Sequence, residues 1–231
     1  MIEETDFETF LFISKNKYQI SVYDKNDLKS LYNEEIRINN GIELDNLSNF
    51  IDENIYKIEK TINNFIRNTI LIIEDDKVLQ VGISIKKKYN EKHIDQKYLE
   101  NSLVEVKDIF RENYKDQIIM HMIIVNNNLN ENIFLSNNSD TNNDNSFLEV
   151  NFISISNRFT INFDKLLENH QIKIRKYMSG IYIKSFLRED ETELSVMANK
   201  LYNGLNKNEV KLISKTIENR GFFEKFFQLF S

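Results

Sequence analysis

A chain of 231 residues, 41% hydrophobic and 29% charged, has enough apolar material for one sizeable core or two small subdomains, which excludes a fibre or a mini-protein. It contains no cysteine, so a disulfide framework, thiolate metal sites and a cysteine nucleophile are excluded, and the composition fits a reducing compartment. A net charge of −6 and a pI near 5.3 leave no excess of positive charge to displace phosphate counterions, which argues against a nucleic-acid partner.

The first residues, Met1-Ile2-Glu3-Glu4-Thr5-Asp6, are acidic and lack the basic start and apolar core of a signal peptide. Residues 9–23 read as two short strands around a turn at Lys15-Asn16-Lys17, with Tyr18, Ile20 and Val22 alternating. A third strand follows over residues 31–38. Asp45 then caps a helix in which Leu47, Phe50, Ile51, Ile55, Ile58, Ile62 and Phe65 recur at helical spacing. Residues 70–73 form a continuous apolar strand, Glu74-Asp75-Asp76 a turn, and Leu79, Val81, Ile83 and Ile85 alternate with Gln80, Gly82 and Ser84, so a β-hairpin is expected over 70–85.

Residues 86–92 are a basic connection. Asp95 opens a second amphipathic helix carrying Leu99, Leu103, Val106 and Phe110 on one face. Residues 118–125 are a buried strand, and at eight residues fall far short of the roughly 20 needed to cross a bilayer. The Asn/Ser/Asp-rich stretch 126–146 reads as a long loop with a weak strand at Ile133-Phe134-Leu135. A strand over 147–155, a helix over 159–169, a strand over 171–175 and a helix over 189–203 complete a mixed pattern, α+β or α/β.

Side chains that could carry chemistry are scattered. The five glycines, at 41, 82, 180, 204 and 221, build neither a GxGxxG nor a GxxxxGK phosphate cradle. His93, His121 and His170 lack the i, i+3 or i+4 partner of a helical metal site. His121 is either a hydrogen-bonded core histidine or a general base, and its apolar neighbours favour the first. The acidic groups Asp75-Asp76 and Glu189-Asp190-Glu191 could hold a divalent cation, yet turn chemistry and the helix dipole account for both. Lys86-Lys87-Lys88 beside Tyr89 could touch phosphate or acidic lipid, or simply solvate a strand end. No catalytic, cofactor-binding or metal-binding residue is assigned, and no enzyme is expected.

The last residues form a different pattern. At 100° per residue Phe222, Phe223, Phe226, Phe227, Leu229 and Phe230 share one arc of roughly 160°, with Glu224, Lys225 and Gln228 opposite. At roughly 25 cal/mol per Å² and about 150 Å² per ring, inserting this face into an apolar medium releases several kcal/mol, enough for reversible anchoring. Charge adds little, because Glu224 and the terminal carboxylate offset Arg220 and Lys225. The helix therefore binds a membrane, grips a protein groove, or docks on the chain's own core; its own Gly221 hinge and the polar stretch 214–220 before it favour the first two.

The order of elements resembles the FtsA family of bacterial cell-division proteins, in the actin/Hsp70 superfamily. The opening hairpin 10–24, the helix over 42–65, the phrase Val81-Gly82-Ile83-Ser84-Ile85 within 69–87, the strand ending His121-Met122-Ile123-Ile124-Val125, the passage 148–180 with Gln171-Ile172-Lys173-Ile174, and Gly221-Phe222-Phe223-Glu224-Lys225-Phe226-Phe227 are similar to successive parts of that family. The resemblance implies an α+β fold: a partial actin-like (ribonuclease H-like) subdomain over 8–67 plus 176–187 and an inserted SHS2 subdomain over 68–175. Beyond them it implies a residual helix and strand over 188–214, and a linker with an amphipathic membrane-targeting helix over 215–231. It further implies a non-catalytic protein on the inner face of the cytoplasmic membrane that recruits divisome partners, with self-association, through the SHS2 surface. The family's nucleotide site is not carried over: Ser14-Lys15-Asn16-Lys17 stands where a Gly-rich phosphate loop belongs, no Asp-x-Gly-Gly-Gly-Thr loop exists, and only about 45 residues follow Phe186 where the second lobe belongs. The alternatives are a soluble adaptor whose phenylalanine helix binds a protein groove, and a degenerate actin-like ATP-binding protein.

Overall fold

The computed structural model describes residues 6–27, 29–39, 41–88, 96–127, 145–187 and 193–211. Among the described residues eight strands form two sheets. The first contains β1 (Phe7–Ser14), β2 (Lys17–Asp24), β3 (Ser30–Arg37), β4 (Asn68–Glu74) and β8 (Lys173–Ser179), in the order β3-β2-β1-β4-β8. Its first three strands are antiparallel; β4 runs parallel to β1, and β8 parallel to β4. The second contains β5 (Leu79–Lys88), β7 (Asn145–Ser156) and β6 (Gln117–Asn127), all antiparallel and in that order.

The first sheet is covered on both faces, and its strands read accordingly. Every residue of β1 is buried, as are Thr69 through Ile73 of β4, because a parallel central strand packs helices on each side. On one face α1 (Leu44–Ile62) and α3 (Asn157–Glu168) bring Leu47, Phe50, Ile51, Ile58, Phe163 and Leu167 onto Leu11, Ile13, Ile20, Leu71 and Ile73. On the other, α4 (Gly180–Lys184) and α5 (Leu194–Tyr202) bring Ile183, Met197, Ala198 and Leu201 onto Phe10, Ile70, Ile72 and Met178. Each such side chain stabilises the fold by about 1.5–3 kcal/mol on burial. The second sheet packs one face on α2 (Gln96–Asn113), where Phe110 stacks on Phe152 at 4.6 Å between Val106, Met122, Leu148 and Val150.

Several sequence expectations match the structure, among them the first hairpin, the third strand and the apolar face of α2. Others are corrected. The 70–85 hairpin does not form: β4 and β5 lie in different sheets, and the family resemblance over 69–87 as one hairpin fails with it. The reason is in the two patterns, since β4 is apolar on both faces and needs two covered neighbours, whereas β5 alternates and suits a half-solvated sheet. The turn between them is held by Asp75, whose Oδ1 accepts from the Lys77 amide at 2.9 Å. Consequently β4, α3 and the start of β8, which fall within the 68–175 range, pair with or pack on the five-stranded sheet.

Glu43, not Asp45, occupies the cap position of α1, and Asp45 sits in its first turn, where a carboxylate complements the helix dipole. The helix stops at Ile62 because Asn63 adopts the left-handed conformation (φ 51°), leaving Phe65 67% exposed beyond the periodic face. The strand expected over 171–175 shifts to Lys173–Ser179, and α5 begins at Leu194. The short helix α4 carried no periodic signal. Asp95, the interrupted loop 128–144 and the phenylalanine helix lie outside the described residues.

Candidate functional site at the junction of the two sheets

Where β6 of the small sheet meets β8 and α4 of the large one, polar side chains converge in a place the apolar pattern of residues 118–125 does not advertise. His121 projects from β6 with its side chain wholly buried. Its Nε2 accepts the backbone amide of Ser179 at 3.0 Å, the residue that ends β8 and caps α4. That contact places the proton on Nδ1, which donates to Oε1 of Glu209 at 2.8 Å. The other Glu209 oxygen accepts the Tyr182 hydroxyl at 3.0 Å; Lys176 Nζ lies 3.5 Å from Oε1, and Asn206 Nδ2 donates to the Tyr182 oxygen at 2.8 Å. The imidazole also packs on the Tyr182 ring at 4.2 Å.

The electrostatics follow from this geometry. Burial pushes His121 below its ordinary value, and the Glu209 contact only partly offsets this, so the ring is neutral. Burial alone would push the Glu209 carboxyl up, but the donors from His121, Lys176 and Tyr182 outweigh it and hold the group below the usual carboxylate range. Burial, with the adjacent carboxylate, raises the Tyr182 hydroxyl well above its normal value. Both ring nitrogens of His121 are spent on protein partners, which leaves no lone pair to take a proton from a substrate. The arrangement is a buried clamp joining β6, β8, α4 and the segment 206–210.

That segment completes the small sheet. Glu209 forms an antiparallel bridge with Ile123; Ile124 N donates to Asn208 O at 2.9 Å, and Val210 N to Met122 O at 2.8 Å. Val210 packs on the α2 core.

The other candidates are placed separately. His170 Nε2 lies 3.6 Å from Asp52 on α1, and His93 lies outside the described residues. Asp76 pairs with Lys15, Asp75 holds its own turn, and Glu189-Asp190-Glu191 lie outside the described residues. Among the described residues no three His, Asp or Glu side chains are grouped to hold a metal, and no helix is long and apolar enough to cross a membrane. The backbone of Lys86-Lys87-Lys88 ends β5; Tyr89 and all six membrane-binding candidates, Phe222, Phe223, Phe226, Phe227, Leu229 and Phe230, lie outside the described residues.

The turn that the resemblance aligns with a phosphate loop is closed on itself. The Ser14 hydroxyl is 2.8 Å from Asn16 Oδ1 and 3.1 Å from the Lys17 carbonyl, and Lys17 pairs with Glu35 at 2.9 Å. Beside it an open cleft of about 640 Å³ crosses β1 to β3, lined by Gln19, Asn33, Arg37 and Lys184 among others. Sequence reasoning missed Glu209, Tyr182, Asn206 and Lys176 as partners of His121. Eighty-eight positions separate His121 from Glu209, and no spacing rule joins them.

No protein-family model and no curated protein matches the chain. Among solved structures it is similar to a protein of unknown function with an actin-like ATPase fold from Bacteroides thetaiotaomicron VPI-5482, at 14% identity over 80% of this chain and 58% of that one, TM-score 0.37. It is similar to the PilM–PilN type IV pilus biogenesis complex, at 11% identity over 77% of this chain and 49% of the other, TM-score 0.47. A third similarity is to the cytoplasmic domain of EpsL, an inner membrane component of the type II secretion system of Vibrio cholerae, at 10% identity over 79% and 61%, TM-score 0.38. The chain spans about half to three-fifths of the length of these structures.

Proposed function

We propose that this chain is a non-catalytic, membrane-associated scaffold of the FtsA-like kind, which recruits division or envelope-assembly proteins through an inserted SHS2-like unit. The observation that supports the reading is the path of the chain between the two sheets. The chain leaves the five-stranded sheet after β4, makes strand β5, helix α2 and strands β6 and β7, and re-enters the large sheet's helical layer at α3. A strand–helix–strand–strand excursion of this kind adds a second sheet and a helix face beside the parent sheet, with Met120, Ile153 and Ile155 packed into the parent's clusters.

Two further features favour binding over chemistry. The buried histidine has both nitrogens engaged, and the Ser14 hydroxyl is turned onto Asn16 and the Lys17 carbonyl within its own turn. Attachment to the inner face of the cell membrane is assigned to the arc of Phe222, Phe223, Phe226, Phe227, Leu229 and Phe230.

The test is liposome co-sedimentation of the full chain, of a chain ending at Asn219, and of the Phe226→Glu, Phe227→Glu double variant. Sedimentation of the full chain alone supports the reading. If all three stay in the supernatant while folded, the phenylalanine arc serves a core or a protein groove, and the membrane-scaffold reading falls.

A further inference from the structure

The β6 edge of the small sheet is filled by a very short piece of the chain. The ladder between β6 and β7 runs from Gln117 opposite Ser156 to Asn127 opposite Leu148. On its other side β6 meets a single bridge, Ile123 with Glu209, flanked by the two main-chain bonds at Ile124 and Val210. The stretch approaches through Gly204, at φ 97°, and a turn closed by Asn206, whose Oδ1 accepts from the Asn208 amide at 3.0 Å. Lys207, Asn208 and Lys211 are exposed.

Its anchor is a side chain. Glu209 enters a slot walled by β6 on one side and by β8 and α4 on the other, where its side chain is 8% exposed and meets His121, Tyr182 and Lys176. Val210, the next residue, turns to the opposite face of the strand and packs on the α2 core. The slot thus selects an extended backbone carrying a carboxylate followed by an aliphatic residue. Main-chain pairing supplies affinity and the two side-chain positions supply specificity, as in strand addition to a sheet edge. Little of this depends on the segment being covalently attached.

We propose that the β6 edge is a docking groove for an extended peptide of a protein partner, with a glutamate followed by an aliphatic residue, and that residues 206–210 occupy it in cis. This deepens the scaffold reading, on which it rests, by naming the recruiting surface. A tethered segment competes at an effective concentration on the order of millimolar, so the groove of the unaltered chain resists a dilute peptide and opens to a partner delivered at high local concentration. Weakening the cis anchor exposes the groove.

The experiment uses the full chain and a fluorescein-labelled synthetic peptide of residues 204–213, read by anisotropy in lipid-free solution, so that it fails or succeeds independently of membrane binding. The Glu209→Ala chain is expected to bind the peptide at least tenfold more tightly than the unaltered chain, and a peptide with glutamine at position 209 is expected to lose that gain. The chain has no cysteine, so an Ile124→Cys, Asn208→Cys pair forms a unique disulfide; added to Glu209→Ala, it is expected to abolish peptide binding when oxidised and restore it when reduced. Equal binding to both chains, or none to a folded Glu209→Ala chain, overturns the proposal. Dimerisation of that variant in light scattering in place of peptide binding makes the occupant a second copy and overturns the assignment to a partner.

Should Glu209→Ala fail to fold, hydrogen exchange of the unaltered chain decides. The Ile124 and Val210 amides are expected to exchange at least tenfold faster than those of β6 that face β7. Equal protection makes 206–210 a permanent strand and overturns the proposal.

Discussion

The two sheets of this molecule solve the same problem differently. The central strands β1 and β4 of the five-stranded sheet are buried on both faces between helices and are apolar almost throughout. The three-stranded sheet has one helix on one face, an alternating edge strand β5, and an opposite edge completed by three residues held by a buried carboxylate. The first arrangement fixes a shape through its doubly covered centre. The second leaves its β6 edge to a short segment, which is what the proposed recruiting surface needs. Rigidity and availability are thereby assigned to different parts of one chain.

The largest effect that sharpens this contrast is expected in the main core. Phe163→Ala removes a ring buried between α3 and the large sheet and is expected to cost about 3–5 kcal/mol, read as a lower urea midpoint shared by probes in both sheets. Its counterpart Phe110→Ala strips the α2 core by a similar local amount. It is expected to raise hydrogen exchange in β5–β7 while β1 and β4 stay protected; simultaneous loss in both sheets breaks the division of roles.

A smaller loss is expected at the clamp. Glu209→Ala leaves His121 Nδ1 and the Tyr182 hydroxyl without their shared acceptor and is expected to cost about 1–3 kcal/mol in urea unfolding, with the large sheet retained. Acid acts on the same groups. Glu209, held low in the fold, contributes stability that is present above its unfolded pKa and is lost as pH falls through the folded one. His121, kept neutral, contributes stability that is full above its ordinary 6.5 and fades as pH drops below it. Both signs agree but the windows differ: between pH 7 and pH 5 the urea midpoint is expected to fall through His121 and to fall less in a His121→Gln chain, and below pH 4.5 Glu209 adds a further loss; an unchanged midpoint contradicts the clamp. The smallest effect is at Phe65, beyond the end of α1, where Phe65→Ser is expected to change stability by less than about 0.5 kcal/mol.

Periodicity made much of the fold legible. The alternation in β2 and β5, the apolar run in β4 and the helical stripes of Leu47 to Ile58 and Val106 to Phe110 depend on burial of one face or two, which a local pattern records. Sheet membership was harder, because adjacency of β4 and β5 in sequence suggested a hairpin, whereas the pairing of β4 with β1 and β8 depends on long-range closure. The contrast between a doubly apolar and a singly apolar strand was the signal that could have separated them.

The clamp was half legible. His121 in an apolar strand announced a buried polar group needing partners, and those partners came from 55, 58, 61 and 88 residues later, at Lys176, Ser179, Tyr182 and Glu209, positions that only the folded topology brings together.

The central claim, a scaffold that meets a membrane through its phenylalanine arc, is tested most directly by amide hydrogen exchange over residues 221–230 with and without lipid vesicles. The account predicts fast exchange in solution, strong protection on vesicles confined to that stretch, and no change in the two sheets. Protection already present without lipid would place the arc on the chain's own core and contradict it, as would exchange that vesicles leave unaltered.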